Sequence, residues 1–449
     1  MRKKLVIKLG GSILENTEKL SLISDKILSL TEKYQIVIVV SAFKGVTDKL
    51  IDIFTIGKDG KYKKAYNLLE KLIEHHHSLL SDKKIDREFT DLEKLLFAVS
   101  YTKELTPKSY AKAISSGERL SSIIISEFLK KLAKDKGYNI SITRTDPHIV
   151  TDSNFLDANI DFRESKKKIK FTSDISIVAG FYGVNRDGFI TLLGRGGSDY
   201  SATALANIWN ADEVWLIKDV DGIMTCDPSL IKDAKLIDTL SYQEASELSF
   251  FGSKVLHPRC LIPARNSNIP VIIKSINTFE NGGTKITHTG NNRKKTVRAL
   301  TKIDNCALIS VESEELAGKP ELLAKIFHIL QEGNINIIMI SQASSACNLT
   351  LLIPDKDAKP FTQALENYIK KHNIDSRIIV DKNIALIAAV GEKMKHTPGI
   401  AGKIFSAMGK HNINIIAIAQ GSSEHNISYI IEKKDMKKAL SILHQEFCL

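Results

Sequence analysis

Residues 307–353 align without a gap onto residues 385–431, at a fixed offset of 78, and 19 of the 47 positions are identical. An internal repeat of this kind fixes the architecture of everything it covers, because each copy must be one folding unit made twice. Ile326-Phe327 corresponds to Ile404-Phe405, Asn334-Ile335-Asn336-Ile337-Ile338 to Asn412-Ile413-Asn414-Ile415-Ile416, Gln342 to Gln420, Ser344-Ser345 to Ser422-Ser423, and Asn348 to Asn426. Each copy opens with a short apolar strand, Ala307–Val311 or Ala385–Val390. Pro320 or Pro398 then stands where a helix can begin. In the first copy the helix carries apolar residues at three and four spacing (Leu322, Leu323, Ile326, Ile329, Leu330), and Gly333 ends it. Ile335–Ile340 is β-branched and predicts a buried strand, and a polar turn and another strand follow. The order predicts a small α/β sandwich, present twice.

Ahead of the repeat, residues 281–295 are polar and rich in Gly and Asn, which predicts a linker. The residues before that stretch follow a different pattern. Apolar strands at Leu5–Leu9, Ile36–Val40, Ile175–Ala179, Glu213–Ile217 and Val271–Ile273 alternate with long helical stretches. Such alternation predicts an α/β domain: a parallel sheet with helices on both faces. Residues 51–100 read as mostly helical, a lid or cap. His75, His76 and His77 fall inside it; three consecutive histidines on a helix point in three directions and cannot share one metal, so they read as a solvated face.

With 449 residues the chain has room for two to four domains at roughly 100–200 residues each. The longest apolar runs, such as Ile36–Val40, fall far short of the about 20 residues that span a bilayer. The basic start Met1-Arg2-Lys3-Lys4 runs into an apolar stretch that ends at Gly10-Gly11, unlike a secretory signal. These features predict a cytoplasmic protein with no membrane partner. Five cysteines, none in a Cys-x-x-Cys pair, fit free thiols, and no metal ligand set is expected among them. The net charge of +11 is spread over helix faces, and the basic runs lack interleaved aromatics, so no nucleic-acid partner is expected.

Four strand ends carry the candidate chemistry. Lys8-Leu9-Gly10-Gly11-Ser12 places a point charge beside glycines that let backbone N–H groups approach an anion. Ser41-Ala42-Phe43-Lys44-Gly45-Val46-Thr47 follows the second strand. Gly194-Arg195-Gly196-Gly197-Ser198-Asp199 is the most specific of the four: a purely structural turn does not require an Arg among three glycines, and the helix opening at Tyr200 favours an anion at its N-terminus. Lys218-Asp219-Val220-Asp221-Gly222 suits the nucleotide side of a site. The chain has no Gly-x-x-x-x-Gly-Lys-Ser/Thr run, no His-Arg-Asp/Asp-Phe-Gly set, and no Gly-x-Gly-x-x-Gly after its first strand. This excludes P-loop enzymes and protein kinases and disfavours a dehydrogenase.

These motifs, together with Ser115-Ser116-Gly117-Glu118-Arg119-Leu120 and Phe251-Gly252-Ser253-Lys254-Val255-Leu256-His257-Pro258, resemble the aspartokinase family, which has the amino acid kinase fold. The repeat resembles paired ACT domains, with the second copy closest in wording to the kinase half of bifunctional aspartokinase–homoserine dehydrogenases. The resemblance implies a catalytic domain over 1–285 and ACT modules (βαββαβ) over 299–378 and 379–449. It implies transfer of the γ-phosphoryl group of ATP, with Mg²⁺ bridging phosphates, to the β-carboxylate of L-aspartate. The product is 4-phospho-L-aspartate, the first intermediate towards lysine, threonine, methionine and diaminopimelate. Lys8 would stabilise the transferring group and Asp199 would orient Lys8. Arg195 would pair with the substrate α-carboxylate and Glu118 with its ammonium, while Ser41, Thr47 and Ser198 hydrogen-bond aspartate. Lys8, Gly10, Gly11, Ser12, Lys218, Asp219, Met224, Lys254 and Val255 would line the ATP side. Gln342, Gln420, Asn336 and Asn414 would bind an effector, threonine or lysine, with threonine favoured. A homodimer or tetramer through the ACT modules is implied as well.

The sequence departs from the family pattern on the nucleotide loop: Lys218 stands where Thr is usual, Met224 where Tyr is usual, and Ser229 where Arg is usual. Phe43-Lys44 replaces Met-Gly. Two alternatives stay open: another amino acid kinase, such as one for glutamate, and an inactive amino-acid sensor on the same fold.

Overall fold

A computed structural model describes residues 2–14, 17–251, 255–280, 282–290, 296–316, 320–342 and 347–449. The chain forms two compact units. One holds Met1–Ile223, Leu236–Ser246 and Lys254–Asn292; the other holds Met224–Lys235, Glu247–Ser253 and Arg293–Leu449.

In the first unit the strand Lys3–Leu9 lies at the centre of an eight-stranded sheet. In spatial order the strands are Ile142–Thr145, Ile175–Ala179, Tyr34–Val40, Lys3–Leu9, Glu213–Lys218, Val271–Ser275, Thr284–Thr287 and Thr239–Ser241. All neighbours pair in parallel except Val271–Ser275 with Thr284–Thr287. Continuous apolar runs suit such strands because both faces are covered, and Leu5, Val6 and Ile7 are fully buried. Side chains alternate across the sheet. Leu5, Ile7 and Leu9 pack into a core with Ile23, Ile27 and Ile124 of the helices Thr17–Leu30 and Ser116–Asp135. Lys8, of opposite parity, meets Asp199 in the first turn of the helix Gly197–Trp209.

Three features differ from expectation. The stretch read as a linker contains the strand Thr284–Thr287, whose Ile286 is fully buried; one strand neighbour on each side outweighs its polar composition. The 51–100 region is helical, over Val46–Lys58, Tyr62–Leu79 and Lys83–Thr102, but its histidines are not one solvated face. His76 is fully buried, its Nδ1 lies 2.8 Å from the Leu72 carbonyl oxygen, and its ring meets Phe43 and Phe89 edge-on. Burial pulls its pKa down to about 4. Of three consecutive directions on an amphipathic helix, one faces inward. Finally, Ile335–Ile340 is not a buried strand. Strand structure begins at Met339 and runs to Gln342, at the edge of its sheet, and Ile340 is 43% exposed.

The second unit contains two four-stranded antiparallel sheets. The first runs Met339–Gln342, Asn348–Pro354, Cys306–Glu312, Arg377–Asp381, and packs on the helices Pro320–Glu332 and Asp355–Lys371. The second runs Ala299–Ile303, Ile384–Val390, Asn426–Glu432, Ala417–Ala419, with the helices Ile400–Lys410 and Met436–Glu446. The copies share a register: Ala307 faces Ile353 as Ala385 faces Ile431. Each sheet takes its fourth strand from a different place in the chain. Ala299–Ile303, at the head of the segment assigned to the first module, pairs with Ile384–Val390 of the second. A segment from far upstream completes this module: Cys226 and Ile231 join its core, and Leu300 N–H donates to the Thr225 carbonyl oxygen at 2.8 Å.

In the first unit, strand ends converge closely enough to demand glycine. A Cβ at Gly11 would lie 2.6 Å from the Ala42 carbonyl oxygen, so the turns after the first and second strands touch. Gly11→Ala is expected to destabilise the unit by about 1–3 kcal/mol through overpacking, read as a lower thermal midpoint. An unchanged midpoint would show that the two turns are not pressed together.

Candidate active site

The carboxyl ends of parallel strands gather side chains from separate stretches of sequence at one edge. Lys8 ends the first strand. Ser41 and Ala42 follow the second, and Gly45, at φ 75°, caps the helix that carries Thr47. Glu118 lies in the first turn of Ser116–Asp135. Gly194 and Gly196, at φ 73° and 72°, turn the chain so that Ser198 and Asp199 open the next helix. Left-handed backbone at both positions explains the Gly-Arg-Gly-Gly spelling.

Lys8, Ser41, Thr47, Glu118, Arg195, Ser198 and Asp199 all line one cavity of about 300 Å³. Ala42, from the turn after the second strand, lines it too, as does Phe181, which was not singled out from the sequence. Phe181 takes φ 72°, donates its N–H to Ser201 Oγ at 2.9 Å, and packs where a Cβ on Gly197 would stand 2.7 Å from its ring. Its place just past the strand Ile175–Ala179 was the available signal.

The charges are arranged around Asp199. Lys8 Nζ lies 2.9 Å from Oδ1, and Lys218 Nζ donates to Oδ2 at 2.7 Å. All three side chains are largely buried, at 9%, 8% and 16% exposure for Lys8, Asp199 and Lys218. Burial alone would raise the Asp199 carboxyl, but the two ammonium groups hold it at about 2. Burial lowers Lys8, with Lys218 adding to the effect against the pull of Asp199. Glu118 behaves in the opposite sense. Burial pushes it up to about 8, the backbone N–H groups of Ala42 and Glu118 offset this in part, and Oε2 has no hydrogen-bond partner.

The remaining sequence candidates divide. Gly10 N–H donates to the Ile217 carbonyl oxygen at 3.2 Å, tying the first strand end to that of Lys218. Gly11 and Ser12 continue that turn, Asp219 is exposed, and Val255 is half-buried. Met224 falls in the second unit, while Lys254, Ser344 and Ser345 lie outside the described residues. Gln342, Gln420, Asn336 and Asn414 are all exposed, at or beside the edge strands Met339–Gln342 and Ala417–Ala419. No described helix is long and apolar enough to cross a membrane.

The amino acid kinase family model matches residues 3–275, and the ACT domain model matches 309–368 and 387–447. Aspartokinase 1, chloroplastic, from Arabidopsis thaliana is 30% identical over 98% of this chain and 80% of its own length. The chain belongs to the aspartokinases of the amino acid kinase family. The bifunctional aspartokinase/homoserine dehydrogenase of Buchnera aphidicola is 33% identical over 98% of the chain and 56% of that protein. The chain thus spans about half the length of the bifunctional relatives it matches. Among solved structures, E. coli aspartokinase III in complex with aspartate and ADP is 26% identical, with a TM-score of 0.79 and full coverage of both chains. The same E. coli protein in complex with lysine and aspartate gives 0.80 over 99% of each.

The raised pKa of Glu118 fixes the sign of a stability effect. Its carboxyl stays protonated in the folded chain up to about pH 8, whereas in the unfolded chain it ionises near about 4.5. Its contribution is therefore full below about pH 4.5 and is lost as pH rises to about 8. Glu118→Gln is expected to raise the thermal midpoint relative to the native chain at pH 8 and to leave it close to native at pH 4. The same difference at both pH values would contradict a protonated Glu118.

Proposed function

We propose that this chain is an aspartate kinase, moving the γ-phosphoryl group of ATP to the β-carboxylate of L-aspartate to give 4-phospho-L-aspartate. The observation that carries the reading is the single cavity joining Lys8, Ser41, Thr47, Glu118, Arg195, Ser198 and Asp199. The aspartate β-carboxylate is ionised at neutral pH, since such a group titrates near about 4, so the acceptor needs no general base. What it needs is alignment and charge neutralisation between two anions. Arg195, exposed at the mouth, pairs with the α-carboxylate, and Ser41, Thr47 and Ser198 hold the acceptor by hydrogen bonds. Lys8 stabilises the three oxygens of the transferring phosphoryl group. Asp199 fixes Lys8 by an ion pair at 2.9 Å. Both Asp199 oxygens face lysines, which makes this carboxylate a poor metal ligand, so Mg²⁺ would be held by the ATP phosphates and would supply charge neutralisation. Gly10, Gly11, Ser12, Asp219 and Val255 form the nucleotide side of the reading.

Glu118 takes the α-ammonium of aspartate. Buried with one oxygen unpaired, it is protonated in the empty site near neutral pH, and the arriving cation ionises it. The half-saturating aspartate concentration is expected to fall as pH rises from about 6 to about 8, by up to about tenfold per unit. A flat profile over that range would remove Glu118 from the ammonium site.

The ACT modules support feedback by an end-product amino acid, threonine or lysine, sensed near Gln342, Gln420, Asn336 and Asn414, with homo-oligomers formed through the same modules in the cytoplasm. Control of this kind requires the effector to bind two states unequally. Purified chain with MgATP and hydroxylamine is expected to form aspartyl hydroxamate, and either threonine or lysine to suppress it. Product from glutamate but not aspartate would favour a different amino acid kinase. No product from either would favour the inactive sensor.

A further inference from the structure

Lys218 stands where the resemblance leads one to expect threonine. It occupies the end of the strand Glu213–Lys218, next to the first strand and parallel to it, with Leu9 opposite Ile217 and Lys8 opposite Leu216. Residues two apart on a strand share a face. Lys8 and Lys218 therefore emerge on the same side of the sheet, on neighbouring strands, with Lys218 two residues nearer the edge where ligands bind. Asp199 lies between them and offers one oxygen to each.

Two further observations give this arrangement a direction. Lys8 and Asp199 line the acceptor cavity, and Lys218 does not. Lys218 bonds the other Asp199 oxygen and is not among the side chains that line the acceptor cavity. In an in-line transfer the leaving oxygen lies across the phosphoryl group from the acceptor. Two lysine side chains share one ionised carboxylate, and the other buried acid, Glu118, is neutral in the empty site. Buried charge without a partner is costly. A lysine whose only role was to neutralise Asp199 would be redundant, because Lys8 already does so. Lys218 is therefore free to serve a polyanion on its own side of Asp199.

We propose that Lys218 is a catalytic residue of the phosphoryl transfer, binding the β-phosphate oxygens of the nucleotide while Lys8 binds the transferring group, with Asp199 holding the two lysines apart. The proposal rests on the aspartate kinase reading. In the step, an aspartate carboxylate oxygen forms a bond to the γ-phosphorus and the bond from that phosphorus to the β–γ bridging oxygen breaks. The electron pair stays on the ADP oxygen, where the Lys218 ammonium meets the charge that develops, and no proton moves.

The test uses Lys218→Met, which keeps length and removes charge, and Lys218→Arg, which keeps charge. Removing one electrostatic donor from a transferring centre costs about 100-fold in kcat or more. Lys218→Met is expected to lose that factor in hydroxamate formation and to bind ADP at least tenfold more weakly, with aspartate binding within threefold of the native chain. Lys218→Arg is expected to recover at least a tenth of the native kcat. Retention of kcat within threefold by Lys218→Met would overturn the proposal. So would a kcat loss with unchanged ADP affinity, or one matched by an equal loss of aspartate binding, since either marks a structural counter-ion of Asp199. Failure of the native chain to phosphorylate aspartate would overturn the underlying reading instead, and it shows in the native arm alone.

Discussion

The Asp199 carboxylate, held between Lys8 and Lys218, sets the terms for the rest of the first unit. Its position needs the helix Gly197–Trp209 to begin at one place, and that start needs left-handed backbone at Gly194 and Gly196. The lysines reach it only because the first strand and Glu213–Lys218 are parallel neighbours in a fixed register. A one-residue slip would turn Lys8 into the opposite core, among Leu5, Ile7 and Leu9. The buried charge thus penalises wrong registers, and the apolar strands supply the stability that keeps it buried.

Much of this was legible because the relevant signals are local. Strands of five to seven apolar residues, glycine turns at their ends, and an Arg inside a glycine run all lie within short windows, and the cavity gathers six residues read from those windows, with Glu118 added by the family resemblance. What was not legible is tertiary. Phe181 has no motif of its own, and it lines the cavity because its strand neighbours Tyr34–Val40. Lys218 was read as a nucleotide-side residue, but nothing in its neighbourhood announces Asp199, nineteen positions away. Composition misled at Thr284–Thr287, where sheet neighbours decide the outcome, and at Ile335–Ile338, where β-branched residues precede the paired segment. The burial of His76 depended on the helix phase against Phe43 and Phe89, which three identical residues in a row conceal.

The repeat was equally plain in sequence, and its register survives in the structure, yet its two copies are not built from two consecutive pieces of chain. The second sheet takes Ala299–Ile303 from before the first copy, and its core takes Cys226 and Ile231 from within the kinase sequence. Thr225 Oγ1 lies 3.0 Å from His444 Nε2 in the same core. Repeat detection finds similarity between copies and is blind to strands that have no counterpart. The second module of this unit has a complete sheet and core only when residues from before and within the repeat come together.

The two buried acids of the site show how one environment can hold opposite protonation states. Asp199 and Glu118 are both removed from water, and desolvation opposes ionisation of each. Asp199 has two ammonium groups in contact and stays charged, while Glu118 has mainly backbone donors and stays neutral. The empty site therefore carries less negative charge than its residue list suggests. An amino acid with one ammonium and two carboxylates brings its own cation for Glu118 and its own anions for the basic groups. A ligand lacking the ammonium would leave Glu118 protonated, and one lacking the second carboxylate would leave the lysines without an acceptor to join to phosphate. The charge pattern of the empty cavity therefore complements a ligand that carries both an ammonium group and carboxylates.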